Sequence, residues 1–156
     1  MASTLRTLVE RVKTVLRGID GGPTYTYDLT GSVDDVDYGD TMDASPPAIR
    51  ITTFFLDSAE SATLTRYKRD AVVNLMGYVG ADTDSPGDRM LAAADLANDI
   101  HLAIEADRVA GVGSLGSLTT TVVVTADVLD GNSLGIDGLG IVSATVTMSY
   151  RATTGI

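Results

Sequence analysis

A strict alternation near the end of the chain constrains the fold more than any other feature. Within the predicted strand over residues 140–151, apolar side chains from Val142 to Tyr150 alternate with Ser and Thr. This period of two is typical of a β-strand that has one face in a core and one face toward solvent. A second strand is predicted over residues 118–129, with a run of three valines at its centre. Residues 130–138 between the two strands contain Gly, Asp and Asn and predict a flexible hairpin loop.

Three more strands are predicted earlier in the chain. Residues 24–30 alternate Tyr or Leu with polar side chains, and residues 48–56 and 67–79 are longer and richer in apolar side chains. The continuous apolar character of residues 71–76 predicts burial on both faces of the sheet. Too few residues separate the two long strands for a crossover helix, so we expect them to form an antiparallel hairpin.

Two segments have helical spacing. Residues 3–17 begin with Ser3 as a candidate N-cap, and Gly18 suits the left-handed residue after the last turn. The second helix is predicted to begin at Ser85-Pro86 and to end near Arg108. Its predicted buried stripe consists of Met90, Ala93, Leu96, Ala97, Ile100 and Ile104.

The order α-β-β-β-α-β-β predicts an α+β fold. We expect a mainly antiparallel sheet of about five strands with both helices packed on one face, in a single domain over residues 1–156. Residues 31–47 interrupt this pattern with five Asp residues and no apolar periodicity. We therefore expect a long, mobile acidic loop there.

Composition narrows the chemistry that the chain can perform. It has no Cys, which excludes disulfides, thiolate nucleophiles and Cys-ligated metals. No apolar segment approaches the roughly 20 residues of a membrane span, so we expect a protein made in the cytoplasm with no membrane partner. The net charge of −10 disfavours direct binding of nucleic acid. This acidity has two alternative origins, adaptation to high salt or a GC-rich genome. Measuring the folded fraction of the protein against salt concentration would distinguish them.

None of the candidate chemical sites meets its geometric requirements, so we expect neither an enzyme nor a cofactor. His101, the single histidine, has Glu105 at helical spacing but no Gly-x-Ser-x-Gly nucleophile elbow. The Asp-rich loop fails the EF-hand pattern, which leaves an irregular low-affinity cation site as the alternative to a solvated loop. The glycines of residues 111–116 follow a helix and precede a strand, the reverse of a phosphate-binding loop, and predict a turn.

The ordered elements resemble the tail terminator, or tail-completion, proteins of long-tailed phages and related viruses. The residues that carry the resemblance are the strand at 71–79, the helical residues 96–107, the Gly-rich turn and the two strands after it, which end with residues 144–151. The N-terminal helix also fits. The acidic loop at 31–47 has no counterpart that we can match.

The resemblance implies a structural virion protein, assembled in the host cytoplasm and placed at the head-proximal end of the tail. It implies a homo-hexameric ring between the tail tube protein and the head–neck connector protein, through which DNA passes without specific binding. Residues 119–124 and 143–150 are candidate ring interfaces, because a ring needs heterologous contacts. The alternatives are another head–tail connector or minor tail protein, and a non-catalytic binding module whose Asp-rich loop binds Ca²⁺.

Two sets of residues are candidates for contact with partners. An acidic lumen would keep passing DNA from sticking through repulsion of like charge. The candidate lumen or partner-contact loop consists of Asp34, Asp35, Asp37, Asp40 and Asp43. The candidate loop for docking on the tube or neck consists of Asp130, Asn132, Leu134, Ile136 and Asp137.

Overall fold

The chain folds as an α+β domain in which helices cover a five-stranded sheet. The computed structural model describes residues 3–39, 45–57, 66–81, 83, 85–111 and 113–153. Short 3₁₀ turns span Val33–Asp35 and Gly131–Leu134. The helices and strands are α1 (Thr4–Leu16), β1 (Val36–Tyr38), β2 (Ala48–Asp57), β3 (Arg66–Gly80), α2 (Pro86–Arg108), α3 (Leu115–Leu118), β4 (Thr121–Asp130) and β5 (Leu139–Thr153).

The sheet has the strand order β1-β2-β3-β5-β4. The pairs β2–β3, β3–β5 and β4–β5 are antiparallel, as expected from the hairpins. The pair β1–β2 is parallel, so the sheet is mixed. The helices number three in the described part of the chain, where the sequence predicted two.

The predicted strand over residues 24–30 is wrong. This segment contains only an isolated bridge between Asp20 and Asp28 and otherwise lies as a loop against α2. The buried Asp99 of α2 accepts the backbone N–H groups of Thr26 and Tyr27, at 2.9 and 2.8 Å. A carboxylate therefore satisfies the donors that a neighbouring strand would otherwise have to bind.

The prediction of a loop throughout residues 31–47 is wrong at residues 33–38, which form a 3₁₀ turn and the strand β1. Val36 is fully buried and pairs with Ile49, so a short strand forms inside the Asp-rich segment. Two arginines bind its carbonyl oxygens: Arg17 donates to Val33 and Val36, and Arg50 donates to Asp34 at 2.6 Å. One buried valine and these bonds offset the cost of ordering a charged segment.

The two predicted helices form close to their expected bounds. Ser3 caps α1 by accepting the N–H of Arg6 at 3.2 Å, as predicted. Gly18 is not left-handed; its N–H binds the carbonyl of Val15 at 3.1 Å in a tight final turn. On α2, Ser85 makes no side-chain cap bond and Met90 is largely exposed, both against expectation.

The Gly-rich passage contains the short helix α3 rather than a plain turn. Leu118, predicted to begin a strand, lies in α3, and β4 begins at Thr121. A Cβ atom on Gly116 would lie 1.5 Å from the carbonyl oxygen of Arg108. A residue without a side chain is therefore required where α3 packs against the end of α2.

The core lies between the helices and one face of the sheet. Leu8 and Val12 of α1 share one buried cluster with Ile100 of α2 and with Val73 and Val146 of the sheet. The predicted burial of residues 71–76 on both faces holds only in part, because Asn74 and Met76 on the other face are half-buried. None of the helices in the described residues is long and apolar enough to cross a membrane.

Candidate assembly surfaces

Among the three described Asp residues of the acidic segment, one is exposed and two bind groups of the protein itself. Asp34 is exposed, while Asp35 accepts the N–H of Ser32 at 3.1 Å in a capping box. Asp37 accepts the N–H of Tyr38 and binds the amine of Lys13 at 3.1 Å, and these contacts lower its pKa below the ordinary value. Asp40 and Asp43 lie outside the described residues.

The loop after β4 is held by an ion pair at its base. Asp130 accepts the Nε–H of the buried Arg89 at 2.7 Å, and this bond lowers the pKa of the Asp130 carboxyl. The side-chain oxygen of Asn132 accepts the N–H of Gly138 at 2.9 Å, which closes the loop. Outside these bonds, Leu134 is 48% exposed and Asp137 faces solvent. Ile136 is half-buried.

The two predicted contact segments lie at the same end of the sheet but on opposite edges. Val36 pairs with Ile49, which pairs with Gly77 of β3. Asp130 pairs with Gly140, which pairs with Val79 of β3, two residues from Gly77. Strands β1 and β4 are the outermost strands, four strand spacings or about 19 Å apart. The segments therefore cannot form one compact site, although both lie at the same end of the sheet.

On the face of the sheet opposite the helices, Ala48, Tyr78 and Ile141 are buried at one end, while partly exposed residues farther along the strands form rows across them. An apolar row consists of Phe55, Val72, Thr147 and Val123, which are successive register partners on β2, β3, β5 and β4. Phe55 is 46% exposed and Val123 is 54% exposed. These two exposed side chains lie three strands apart, with the buried Val72 and the partly exposed Thr147 between them.

A polar row runs beside the apolar row. It consists of Thr53, Asn74, Thr145 and Thr125, again as successive register partners. The side chain of Asn74 donates to Thr53 at 2.7 Å and accepts from Thr145 at 3.0 Å. Because these groups bind each other, this row can approach a partner with little loss of hydrogen bonds to water.

Both sides of the sheet carry strand edges without a partner in the described part of the chain. Strand β1 covers β2 only at residues 49–51, with one further bond from Gly39 to Ile51, so residues 53–56 of β2 form one edge. Residues 121–125 of β4 form the other. Residues 121–125 contain no charged residue and no Pro, whereas on β2 a bulge between Ile51 and Thr53 precedes the edge and the charged Asp57 follows it.

Other candidates for chemistry lie apart from these surfaces. His101 lies on the exposed side of α2. A groove of about 480 Å³ beside the first half of α2 carries the carboxylates of Asp88 and Asp95. Across the described ranges, no group of three acidic or histidine side chains is close enough to hold a metal ion.

The interactions that position these surfaces include several that the sequence did not reveal. Three such bonds join Asp99 to the loop at residues 24–30, Arg89 to Asp130, and Asp107 to α1. Local patterns could not identify these partners, because the bonded residues are 41 to 96 residues apart. The polar residues Arg89, Asp99 and Asp107 at buried positions of α2 were a usable signal. Buried charged groups need partners, so such positions predict tertiary contacts without naming them.

No protein-family model matches the chain, and no curated protein matches it.

Proposed function

We propose that this chain is the subunit of a ring at the head-proximal end of a viral tail tube, of the tail terminator type that its sequence resembles. A ring subunit needs lateral surfaces for its neighbours and axial surfaces for the structures stacked above and below it. The observation that carries the proposal is the position of the acidic segment and the loop after β4 at one end of the sheet. In the proposed ring the loop after β4 makes the axial contacts, while the strand edges face sideways.

The exposed carboxylates at this end support the proposed channel for DNA. Asp34 and Asp137 project to solvent while Arg17, Arg50 and Arg89 are engaged by the protein itself. Cations that bind carbonyl and carboxylate oxygens are less available to phosphates. In the proposed ring the acidic segment lines the channel and repels DNA during its passage.

Assembly and capping test this proposal together. Light scattering and electron microscopy of the purified chain should show a closed ring, with six subunits expected from the resemblance. Added to growing tail tubes of the same virus, the ring should stop elongation at about one ring per tube end. A protein that remains a monomer with tubes present, or that leaves elongation unchanged, would contradict the proposal.

A further inference from the structure

We propose that the projecting end of strands β3 and β5 binds the sugar-phosphate backbone of duplex DNA. This end consists of residues 66–69 of β3 and residues 150–153 of β5, and we call it the basic ribbon. The inference rests on the proposed function, because that function brings DNA through the ring. It adds a place on the chain that holds the DNA, at the end of the sheet opposite the acidic segment.

The basic ribbon extends past the strands on either side of it. Strand β2 ends at Asp57, which pairs with Asp70 of β3. Strand β4 begins at Thr121, which pairs with Ser149 of β5. Beyond these two rows, β3 and β5 pair with each other over the whole basic ribbon, about 13 Å. Within the described residues, neither β2 nor β4 accompanies them, so the two strands form a projection of their own.

The charge of the basic ribbon is opposite to that of the whole chain. Its eight residues include four of the 11 basic residues of the protein and none of the 21 acidic residues. The net charge of −10 therefore conceals a local reversal of sign. Binding to DNA depends on clustered cations, because each phosphate that they neutralise releases condensed counterions.

Two cations of the basic ribbon face each other across the strands. Lys68 and Arg151 are direct register partners, so both side chains lie on the face opposite the helices, with their Cβ atoms about 5 Å apart. Both are exposed, and neither forms an ion pair or hydrogen bond with another described residue. Like charges directly opposite each other destabilise a sheet. A phosphate bound between them removes that repulsion, because its charge attracts both.

Two carboxylates lie at the base of the basic ribbon, on the side of β2. Asp70 accepts the hydroxyl of Ser149 at 2.6 Å, and Asp57 is its register partner. On the side of β5, residues 139–153 and residues 121–126 contain no acidic residue. An anion that approaches from the side of β5 therefore meets no carboxylate of these two strand segments.

DNA is the polyanion that the proposed ring encounters at this position. Lys68 lies nine residues along β3 from Gly77, whose row contains Val36 of the acidic segment, which corresponds to about 30 Å. In the proposed ring the basic ribbons therefore lie at one mouth of the channel and the loop after β4 lies at the other. A two-stranded ribbon is narrow enough to enter the major groove. Phosphate contacts carry no sequence information, so they allow DNA of any sequence to pass.

Binding of labelled duplex DNA to the purified full-length chain at low ionic strength tests the inference. Fluorescence anisotropy should show binding that weakens as salt is added, with a change of about 0.9 in the slope of log affinity against log salt for each phosphate contact. Lys68→Gln with Arg151→Gln should weaken binding about tenfold or more and reduce this slope by about 2. Lys68→Arg with Arg151→Lys keeps both charges and should retain binding.

A matched control removes the same charge from two other exposed cations. Arg6 and Arg108 already pair with Glu10 and Glu105 on their own helices. Arg6→Gln with Arg108→Gln should change the affinity for DNA by less than about twofold. Equal losses in this control and in the ribbon variant would overturn the inference, and so would a wild-type chain without salt-sensitive binding.

The stability of a single variant supplies a readout that does not need DNA. Lys68→Glu replaces a pair of like charges with a pair of opposite charges across the strands. The midpoint of urea unfolding should therefore rise, while binding of DNA is lost. A lower midpoint would show that the two side chains do not repel each other, and it would overturn the geometry on which the inference rests.

An acidic protein is the alternative partner for the basic ribbon. Polyglutamate should compete with the labelled duplex far less than unlabelled duplex of equal total charge, because DNA carries the denser charge. Equal competition by the two polyanions would overturn the assignment to DNA.

Tube capping, measured on the same preparations, separates the inference from the proposed function. A wild-type chain that caps tubes without binding DNA would overturn the inference and leave the proposed function intact. A chain that binds DNA through the basic ribbon without capping tubes would support the inference and contradict the proposed function.

Discussion

The Asp107 carboxylate near the end of α2 binds the guanidinium of Arg11 in the middle of α1. It accepts the Nε–H of Arg11 at 3.1 Å and a second bond from its Nη2 group. The same carboxylate accepts the N–H of Leu115 at 2.8 Å, at the start of α3. One buried acid therefore connects all three helices on the covered face of the sheet, where it opposes separation of α1 from α2.

We expect Asp107→Asn to lower the free energy of unfolding by about 2–3 kcal/mol. Breaking a buried ion pair costs about 3–5 kcal/mol, and Arg11 is one-third exposed, so water replaces part of the lost interaction. Urea unfolding followed by circular dichroism measures the change. Glu105→Gln on the same helix removes the exposed pair with Arg108 and should cost less than about 0.5 kcal/mol. Equal effects of the two variants would contradict the role of Asp107.

Acid should destabilise the fold through the same carboxylate. Burial alone raises the pKa of Asp107, but the bonds from Arg11 and Leu115 outweigh it and hold the pKa below the ordinary 3.8. Its stabilisation is therefore complete above pH 3.8 and is lost as the pH falls through the lowered folded pKa. The unfolding free energy should decline below about pH 4, and less steeply in Asp107→Asn. Parallel declines in the two proteins would contradict the assignment.

Gly116 should not tolerate a side chain. Its Cβ would overlap the carbonyl oxygen of Arg108, a backbone atom that cannot rotate away. We expect Gly116→Ala to cost about 2–3 kcal/mol or more, because α3 must shift off the end of α2. Gly111→Ala, where no atom lies within 4 Å of the new Cβ, should change stability by less than about 0.5 kcal/mol. Thermal unfolding of both variants distinguishes this packing constraint from a general effect of losing glycine.

Reversal of charge at Asp34 should make the assembled ring retain DNA. We expect Asp34→Lys to raise the affinity for duplex DNA several-fold at low salt and to slow DNA ejection, with assembly unchanged. Fluorescence anisotropy with labelled duplex measures binding. Asp95→Lys, an exposed position on α2, is the control and should change neither property. Identical behaviour of the two variants would show that the acidic segment does not line the channel.

Local sequence patterns predicted the regular elements well, and failed where a distant partner decides the conformation. The alternation around Val146 and the helical stripe around Ile100 located β5 and α2, because each pattern reports which face meets a core. The alternation at Tyr25 and Tyr27 looked equally strand-like. There the backbone N–H groups bind Asp99, some 72 residues away, instead of a neighbouring strand.

The candidate residues divide in the same way. That Asp34 and Asp137 are polar and exposed follows from their surroundings in the sequence. That the segments containing them lie at one end of the sheet on opposite edges follows only from the strand order. The buried Val36 was hidden among aspartates, because a three-residue strand has too few positions to show a period.

Periodicity in the sequence by itself determined which face of each long helix and strand is buried. The reason is that each apolar side chain gains free energy on burial, and its position along the element fixes the face on which it lies. Only the tertiary structure decided which strands form the edges and which side chains share a row, since register and strand order depend on contacts between elements distant in sequence. Phe55, Val72, Thr147 and Val123 lie in one row across four strands only because strand order and register align them.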